Sequence, residues 1–106
     1  MARQVILTTD ESASLERLGQ RLRRARLRRN LTQADVAERA GINRKVVVAL
    51  EAGAAGTGIG ALVKVLAVMG YPERIADLLE SDPIGEDLEE VFGRKRAGKR
   101  DGMEDF

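Results

Sequence analysis

The segment 42–53, INRKVVVALEAG, constrains the fold most because it supports two incompatible structures. The three consecutive valines at 46–48 favour a buried β-strand, since β-branched residues pack well in sheets. Asn43 before this run is instead a good helix N-cap, and Gly53 after it is a typical helix stop. Only one short helix, 44–52, fits between these signals. The choice between strand and helix therefore decides the class of the domain.

The preceding segment favours the helix. Thr32 is a good N-cap for the segment 33–40, QADVAERA, and Gly41 follows it as expected for a left-handed exit. Ile42 then fills the corner before the next N-cap. A small residue at the helix crossing, a glycine at the turn and apolar residues at fixed offsets are typical of a helix-turn-helix. The residues predicted to face inward are Val36, Ala37, Ala40, Val47 and Leu50.

The flanking segments also read as helices. The first helix is predicted to begin near Ser12 or Ser14 and to end at Asn30. A glycine-rich loop at 53–60 precedes a fourth helix at 59–70, and a fifth helix at 72–81 starts with proline at its first position. The fold class is therefore all-α, a five-helix bundle.

Four divisions of the chain are predicted. Residues 1–11 form an N-terminal arm, either a free tail or a strand that pairs with its copy in a dimer. Residues 12–81 form the helical domain. Residues 82–92 form an acidic C-terminal extension with a possible short sixth helix. Residues 93–106 have little apolar content and are expected to form a basic, disordered C-terminal tail.

Composition excludes several classes of function. The chain contains no cysteine and no histidine, which removes thiolate chemistry, disulfides, histidine catalysis and the usual zinc sites. The stretch GTGIG resembles a phosphate-binding loop only weakly, since it lacks the following Lys-Ser/Thr and a preceding strand. We expect no enzyme activity, no metal and no cofactor. No apolar run is long enough for a membrane span, and a soluble, cytoplasmic protein is expected.

The charge is unevenly distributed along the chain. Residues 1–58 hold eleven Lys or Arg and six Asp or Glu, a net charge of +5. Residues 59–92 hold two basic and eight acidic residues, a net charge of −6, and residues 93–106 have a net charge of +2. This division predicts one surface for a polyanion and another for a different partner.

The segment LTQADVAERAGINRKVVVALEAG resembles the Xre family of phage-repressor-like helix-turn-helix proteins. The upstream LGQRLRRARLRRN and the downstream LVKVLAVMGY also resemble its five-helix domain, over about residues 14–80. A strand at 46–50 does not explain these features together. The resemblance implies a DNA-binding transcription regulator, a repressor that binds a palindromic double-stranded operator and controls its own promoter.

The resemblance also implies roles for individual residues. Gln33 would bind a phosphate and brace the start of the third helix. Asn43, Arg44 and Lys45 would reach base edges or phosphates, and Thr32 would be an N-cap first and a phosphate donor second.

Two of the recognition-helix assignments have a simpler alternative. The guanidinium of Arg44 matches O6 and N7 of a guanine, although a phosphate contact is nearly as reasonable. An outward Val48 would pack against thymine methyl groups, or would simply be one more exposed apolar residue.

The arginines of the first helix divide into two groups. Arg26 and Glu51 resemble the buried ion pair of the family, which orients the recognition helix. Arg24, Arg28 and Arg29 would supply sequence-independent affinity for the phosphate backbone. The alternative for these three is a solvated face.

Dimerisation is expected because one such domain reads only a few base pairs. The alternative for the candidate residues is the core of the domain. These homodimer-interface candidates are Val68, Met69, Tyr71, Ile75 and Leu79.

A looser resemblance links AGAAGTGIGALVKVLAVMGY, the segment after it and the basic GRKRAGKR to antitoxins encoded beside HipA-like kinase toxins. It implies an antitoxin that represses its promoter and binds a kinase toxin. A third hypothesis, a protein-interaction module without DNA binding, predicts a depleted recognition face, which this sequence does not have.

Overall fold

The computed structural model describes residues 5–96, so positions 1–4 of the predicted arm and 97–106 of the predicted tail lie outside the described residues. The α-helices are α1 (Thr9–Arg28), α2 (Gln33–Ala40), α3 (Arg44–Glu51), α4 (Ile59–Val68) and α5 (Pro83–Arg96). A 3₁₀ helix at Arg74–Asp77 lies between the last two. Residues 5–96 contain no β-strand, so the all-α prediction is confirmed.

The first helix begins earlier than the predicted Ser12 or Ser14. Thr8 is its N-cap, and its hydroxyl accepts a hydrogen bond from the backbone N–H of Glu11 at 3.2 Å. The Glu11 carboxylate accepts in return from the Thr8 N–H at 3.0 Å. This reciprocal capping box satisfies two otherwise unpaired donors and fixes the helix start. Helix α1 therefore includes part of the segment assigned to the arm.

The predicted ends of α2 and α3 are confirmed. Thr32 caps α2, and Gly41 leaves it with φ +71° in the left-handed conformation that glycine adopts without steric cost. The side-chain oxygen of Asn43 then accepts from the Lys45 backbone N–H at 2.8 Å and starts α3. The sharp turn between the two helices follows from this sequence of caps.

An aliphatic core joins the first four helices. Val36 of α2 and Val47 of α3 are fully buried at its centre, with exposed fractions of 0% and 1%. The other members come from α1, from the turn after it, and from α2, α3 and the end of α4. They are Leu22, Leu31, Ala37, Leu50, Val65 and Met69.

Helices α1 and α3 approach each other at a glycine. A Cβ added at Gly19 would overlap the backbone carbonyl oxygen of Glu51 and would lie 2.8 Å from the carbonyl oxygen of Leu50. A Cβ at Gly53 would lie 2.8 Å from the Cα of Glu16. The C-terminal end of α3 is therefore held against α1 at backbone contact distance.

The α-helix predicted for 72–81 is wrong. The structure has a 3₁₀ helix of four residues there, and Leu79 has φ +66°, which an α-helix does not permit. Leu78 and Leu79 are 71% and 81% exposed. Short helices depend on burial of an apolar face, and these leucines bury little area.

The chain divides into two compact units, Met1–Ile75 and Ala76–Phe106. The second contains α5, which begins after Asp82, whose carboxylate accepts from the Gly85 N–H at 2.9 Å. Pro83 occupies the first helical position, where its missing N–H costs nothing. The helix continues through Arg96, so it is longer than the short helix considered for 82–92 and includes the first residues of the predicted tail.

Candidate nucleic-acid interface

Arg26 and Glu51 connect the end of α1 to the end of α3. The Nε of Arg26 donates to Oε2 of Glu51 at 2.6 Å, and Nη2 donates to Oε1 at 3.0 Å. The remaining terminal nitrogen, Nη1, donates to the backbone carbonyl of Leu31 at 2.9 Å. The hydrogen bond to Glu51 raises the pKa of Arg26 above its ordinary value, and partial burial acts in the opposite direction. This pair holds α3 against α1.

Gln33, the first residue of α2, joins the same group. Its amide nitrogen donates to Oε1 of Glu51 at 3.1 Å. The contact therefore reaches the C-terminal end of α3. The prediction was that Gln33 would brace the start of that helix. One carboxylate thus collects donors from α1 and α2, and it fixes the position of α3 relative to both. The phosphate contact expected of Gln33 remains a prediction.

Helix α3 divides into a buried side and an exposed side. Val47 and Leu50 face the core, and Val46 is half-buried against it. The exposed side starts at the N-cap, whose side-chain oxygen is used by the cap hydrogen bond. Its members are Asn43, Arg44, Lys45 and Val48, the last of them 40% exposed. The four residues of α3 and its N-cap that were predicted to contact DNA therefore lie together on its accessible side.

Thr32 is engaged at the start of α2. Its hydroxyl accepts from the Asp35 N–H at 2.9 Å, and the Asp35 carboxylate accepts from the Thr32 N–H at 2.9 Å. The hydrogen bonds with Thr32 lower the pKa of Asp35. The cap role expected of Thr32 is thus seen directly, while its phosphate contact stays a prediction.

The three arginines predicted to bind phosphate, at the end of α1 and at its C-cap, have different surroundings. Arg24 and Arg28 are exposed. Arg29 is exposed too, but its two terminal nitrogens donate to the backbone carbonyls of Ala25 at 2.8 Å and Met69 at 2.9 Å. Arg29 thus ties the end of α1 to the end of α4. Sequence reasoning missed this contact, since the partner is 40 residues away and is a backbone group.

An open cleft of about 480 Å³ lies between the end of α1 and the start of α2. Gln33 and Thr32 form one wall, and Arg23 and Arg26 lie on the α1 side. Arg23 is exposed and was not among the predicted contacts. The only sequence signal for it was its membership of the arginine-rich run, which does not separate one face of α1 from another.

The predicted dimer-interface residues do not form one exposed surface. Met69 is 5% exposed and belongs to the core, which is the alternative that the sequence left open for these candidates. Val68 is half-buried against the same core, and Ile75 is half-buried. Tyr71 is 43% exposed, and the guanidinium of Arg74 lies 4.1 Å from its ring centroid. Leu79 is exposed and belongs to the second unit.

Metal-binding clusters and membrane-spanning helices are both absent between Val5 and Arg96. This part of the chain contains no group of three or more acidic side chains placed to hold a metal ion. None of its helices combines the length and the apolarity that crossing a membrane requires.

A family model described as helix-turn-helix matches residues 22–75, just over half of the chain. The match starts inside α1, covers α2, α3 and α4, and ends with the first compact unit. No curated protein matches the chain. The matched domain is a DNA-binding regulatory module and not typically an enzyme. The chain belongs to the Xre-like helix-turn-helix family.

Proposed function

We propose that this protein is a sequence-specific transcription regulator, a repressor that binds a palindromic operator as a dimer and controls its own promoter. One observation carries the proposal: Arg44, Lys45 and Val48 share the exposed face of a helix whose opposite face is fixed in the core. A helix of eight residues is about 12 Å long and fits the major groove. The recognition helix is therefore α3.

Sequence reading is assigned to the first turns of α3. The guanidinium of Arg44 presents two parallel donors, which match O6 and N7 of a guanine. Val48 lies one turn further on and offers a methyl surface to a thymine methyl group. Asn43 and Lys45 flank these two and contact bases or phosphates at the edge of the same groove. Specificity then depends mainly on Arg44 and Val48.

Phosphate binding is assigned to the end of α1 and the start of α2. Arg23, Arg24 and Arg28 are exposed cations there, and the cleft beside Gln33 is open to solvent. Backbone N–H groups at a helix start favour an anion, and α2 begins at this cleft. These groups hold the domain on DNA without reading its sequence. Arg29 contributes less, since two of its nitrogens are already bonded.

The experiment that tests the function is a mobility-shift titration of the full chain on its own upstream DNA. It is run across a salt series with random DNA as competitor, and the bound region is footprinted. Binding that survives competitor, with two half-sites about 34 Å apart, is the expected result. Binding that competitor abolishes at every salt concentration would contradict sequence-specific regulation.

A matched control separates the contribution of the recognition face to operator binding from the general effect of positive charge. Arg39 is an exposed arginine beside Lys64 and Val68, in a cavity formed by α2 and α4. Arg39→Ala removes the same charge as Arg44→Ala but from outside the α3 face. We expect operator binding to fall for Arg44→Ala and to stay near the wild-type level for Arg39→Ala.

Antitoxin function is a second candidate, and the exposed Leu78 and Leu79 favour it because they offer apolar surface to a protein partner. In this case the protein binds a kinase toxin besides its operator. Co-expression with the product of the adjacent gene, followed by purification through the toxin, tests it. A complex that Leu78→Asp with Leu79→Asp dissolves is the expected result, and the absence of a complex would rule the candidate out.

A further inference from the structure

Helix α5 carries an apolar stripe that faces solvent. Ile84, Leu88, Val91 and Phe92 lie four, three and one residues apart, which places them on one side of the helix. Their exposed fractions are 75%, 50%, 58% and 44%. Four large apolar side chains on one face of a single helix are typical of a contact surface.

The charges on α5 are separated along its length. Four acidic residues and no basic ones lie between Pro83 and Gly93, and three basic residues follow at 94–96. A second α5 in the opposite direction would set each acidic half against a basic half. A second α5 in the same direction would align like charges, which is destabilising.

We propose that α5 pairs antiparallel with the α5 of a second copy of this chain. With Ile84 and Val91 at d positions and Leu88 at an a position, Leu88 packs against Val91 of the partner subunit. Asp87 and position 94 are then both g positions. Antiparallel pairs bring g positions together, so this register puts the acidic position 87 beside the basic position 94 of the second copy, twice by symmetry.

The pairing deepens the proposed function, because it supplies the dimer contact that an operator with two half-sites requires. Fourteen residues make a helix of only about 21 Å, so the contact is small and its formation depends on concentration. Two copies bound to neighbouring half-sites would pair more readily, since each raises the effective concentration of the other. The pairing itself needs no DNA and is tested without it.

The first test is sedimentation equilibrium of the full chain over a wide concentration range. We expect a reversible monomer–dimer equilibrium that Leu88→Glu weakens by about tenfold or more. Ile59→Glu is the matched control, since it introduces the same charge at an exposed aliphatic residue outside α5. A wild-type chain that stays monomeric, or a dimer that Leu88→Glu leaves intact, would overturn the proposal.

An exchange of charges between positions 87 and 94 tests the same pairing and leaves the apolar stripe of α5 unchanged. Asp87→Arg and Arg94→Asp should each weaken the dimer, and the double variant should restore it because the pairs re-form with reversed signs. If the double variant loses as much dimer affinity as the two single variants combined, this register is excluded. Circular dichroism of each variant verifies that α5 remains helical.

Cross-linking determines whether the two α5 helices pair antiparallel or parallel. The chain has no cysteine, so introduced thiols report only on their own positions. A disulfide requires Cα atoms within about 7 Å. We expect Ile84→Cys to cross-link with Lys95→Cys in a mixture and not with itself. Self-cross-linking of Ile84→Cys would mean a parallel pair and would contradict the proposal. This cross-linking is done without DNA, so its result distinguishes a failure of the pairing from a failure to bind an operator.

Discussion

Arg26 donates hydrogen bonds to both carboxylate oxygens of Glu51, with nitrogen–oxygen distances of 2.6 and 3.0 Å. The two side chains are only 9% and 7% exposed. Loss of either partner therefore leaves a charge that is neither solvated nor paired. We expect Arg26→Ala to lower the free energy of unfolding by about 3–5 kcal/mol, measured by urea denaturation.

The replacement of both charges is the control for this pair. Arg26→Met combined with Glu51→Leu should recover most of the lost stability, because it removes both desolvation costs and keeps the volume. If the double variant is as unstable as Arg26→Ala, the hydrogen bonds of Arg26 to the Leu31 carbonyl and of Gln33 to Glu51 contribute more than the ion pair does.

Gly19 has no room for a side chain. Gly19→Ala places a methyl group against the carbonyl oxygens of Glu51 and Leu50, and we expect a loss of about 1–3 kcal/mol in the free energy of unfolding. Gly60→Ala is the matched control, since Gly60 is also helical and a Cβ added there would meet no atom within 4 Å. The control should be neutral or stabilising, by at most about 1 kcal/mol. Equal losses would mean that the backbone contact is not the cause.

Arg44 and Arg28 should affect DNA binding in different ways. Arg44→Ala is expected to cost about 1–3 kcal/mol at the operator and to relax the preference at one base position. Arg28→Ala should weaken binding to all sequences alike and lower the salt slope by about one. Titrations on the operator and on single-base variants of it distinguish the two. A uniform loss for Arg44→Ala would assign it to a phosphate.

Asp35 should make α2 sensitive to acid. Its folded-state pKa is lowered by hydrogen bonds with Thr32, so the ionised form stabilises the folded chain. This stability is present above the ordinary aspartate pKa of about 3.9 and is lost as the pH falls through the lower folded value. Asp35→Asn should flatten the dependence of unfolding free energy on pH below about 4. An unchanged slope would show that other carboxylates dominate.

The helix-turn-helix was predictable because its caps are local. Thr32, Gly41 and Asn43 each act within a few residues of their own position, and the sequence shows each of them. The true start of α1 also has a sequence signal, the threonine and glutamate of a capping box at Thr8 and Glu11, but Ser12 and Ser14 are equally good N-caps.

The misplaced helix at 72–81 has a different origin. Its apolar spacing is helical, but a pattern does not show whether a partner surface exists to cover it. The sequence also left open whether Met69 belongs to the core or to an interface, because its depth in the core depends on how α4 packs. The contact of Arg29 with the Met69 carbonyl likewise has no signature in either segment.

Tyr71 determines the intrinsic fluorescence of this protein. It is the only tyrosine of a chain without tryptophan, and it follows α4 with the Arg74 guanidinium over its ring. Ultraviolet emission from this protein therefore comes mainly from one position in the first unit. A fluorescence melt follows the end of α4, whereas circular dichroism averages over every helix. Divergent midpoints from the two spectroscopies would reveal that α5 melts separately from the helix-turn-helix domain.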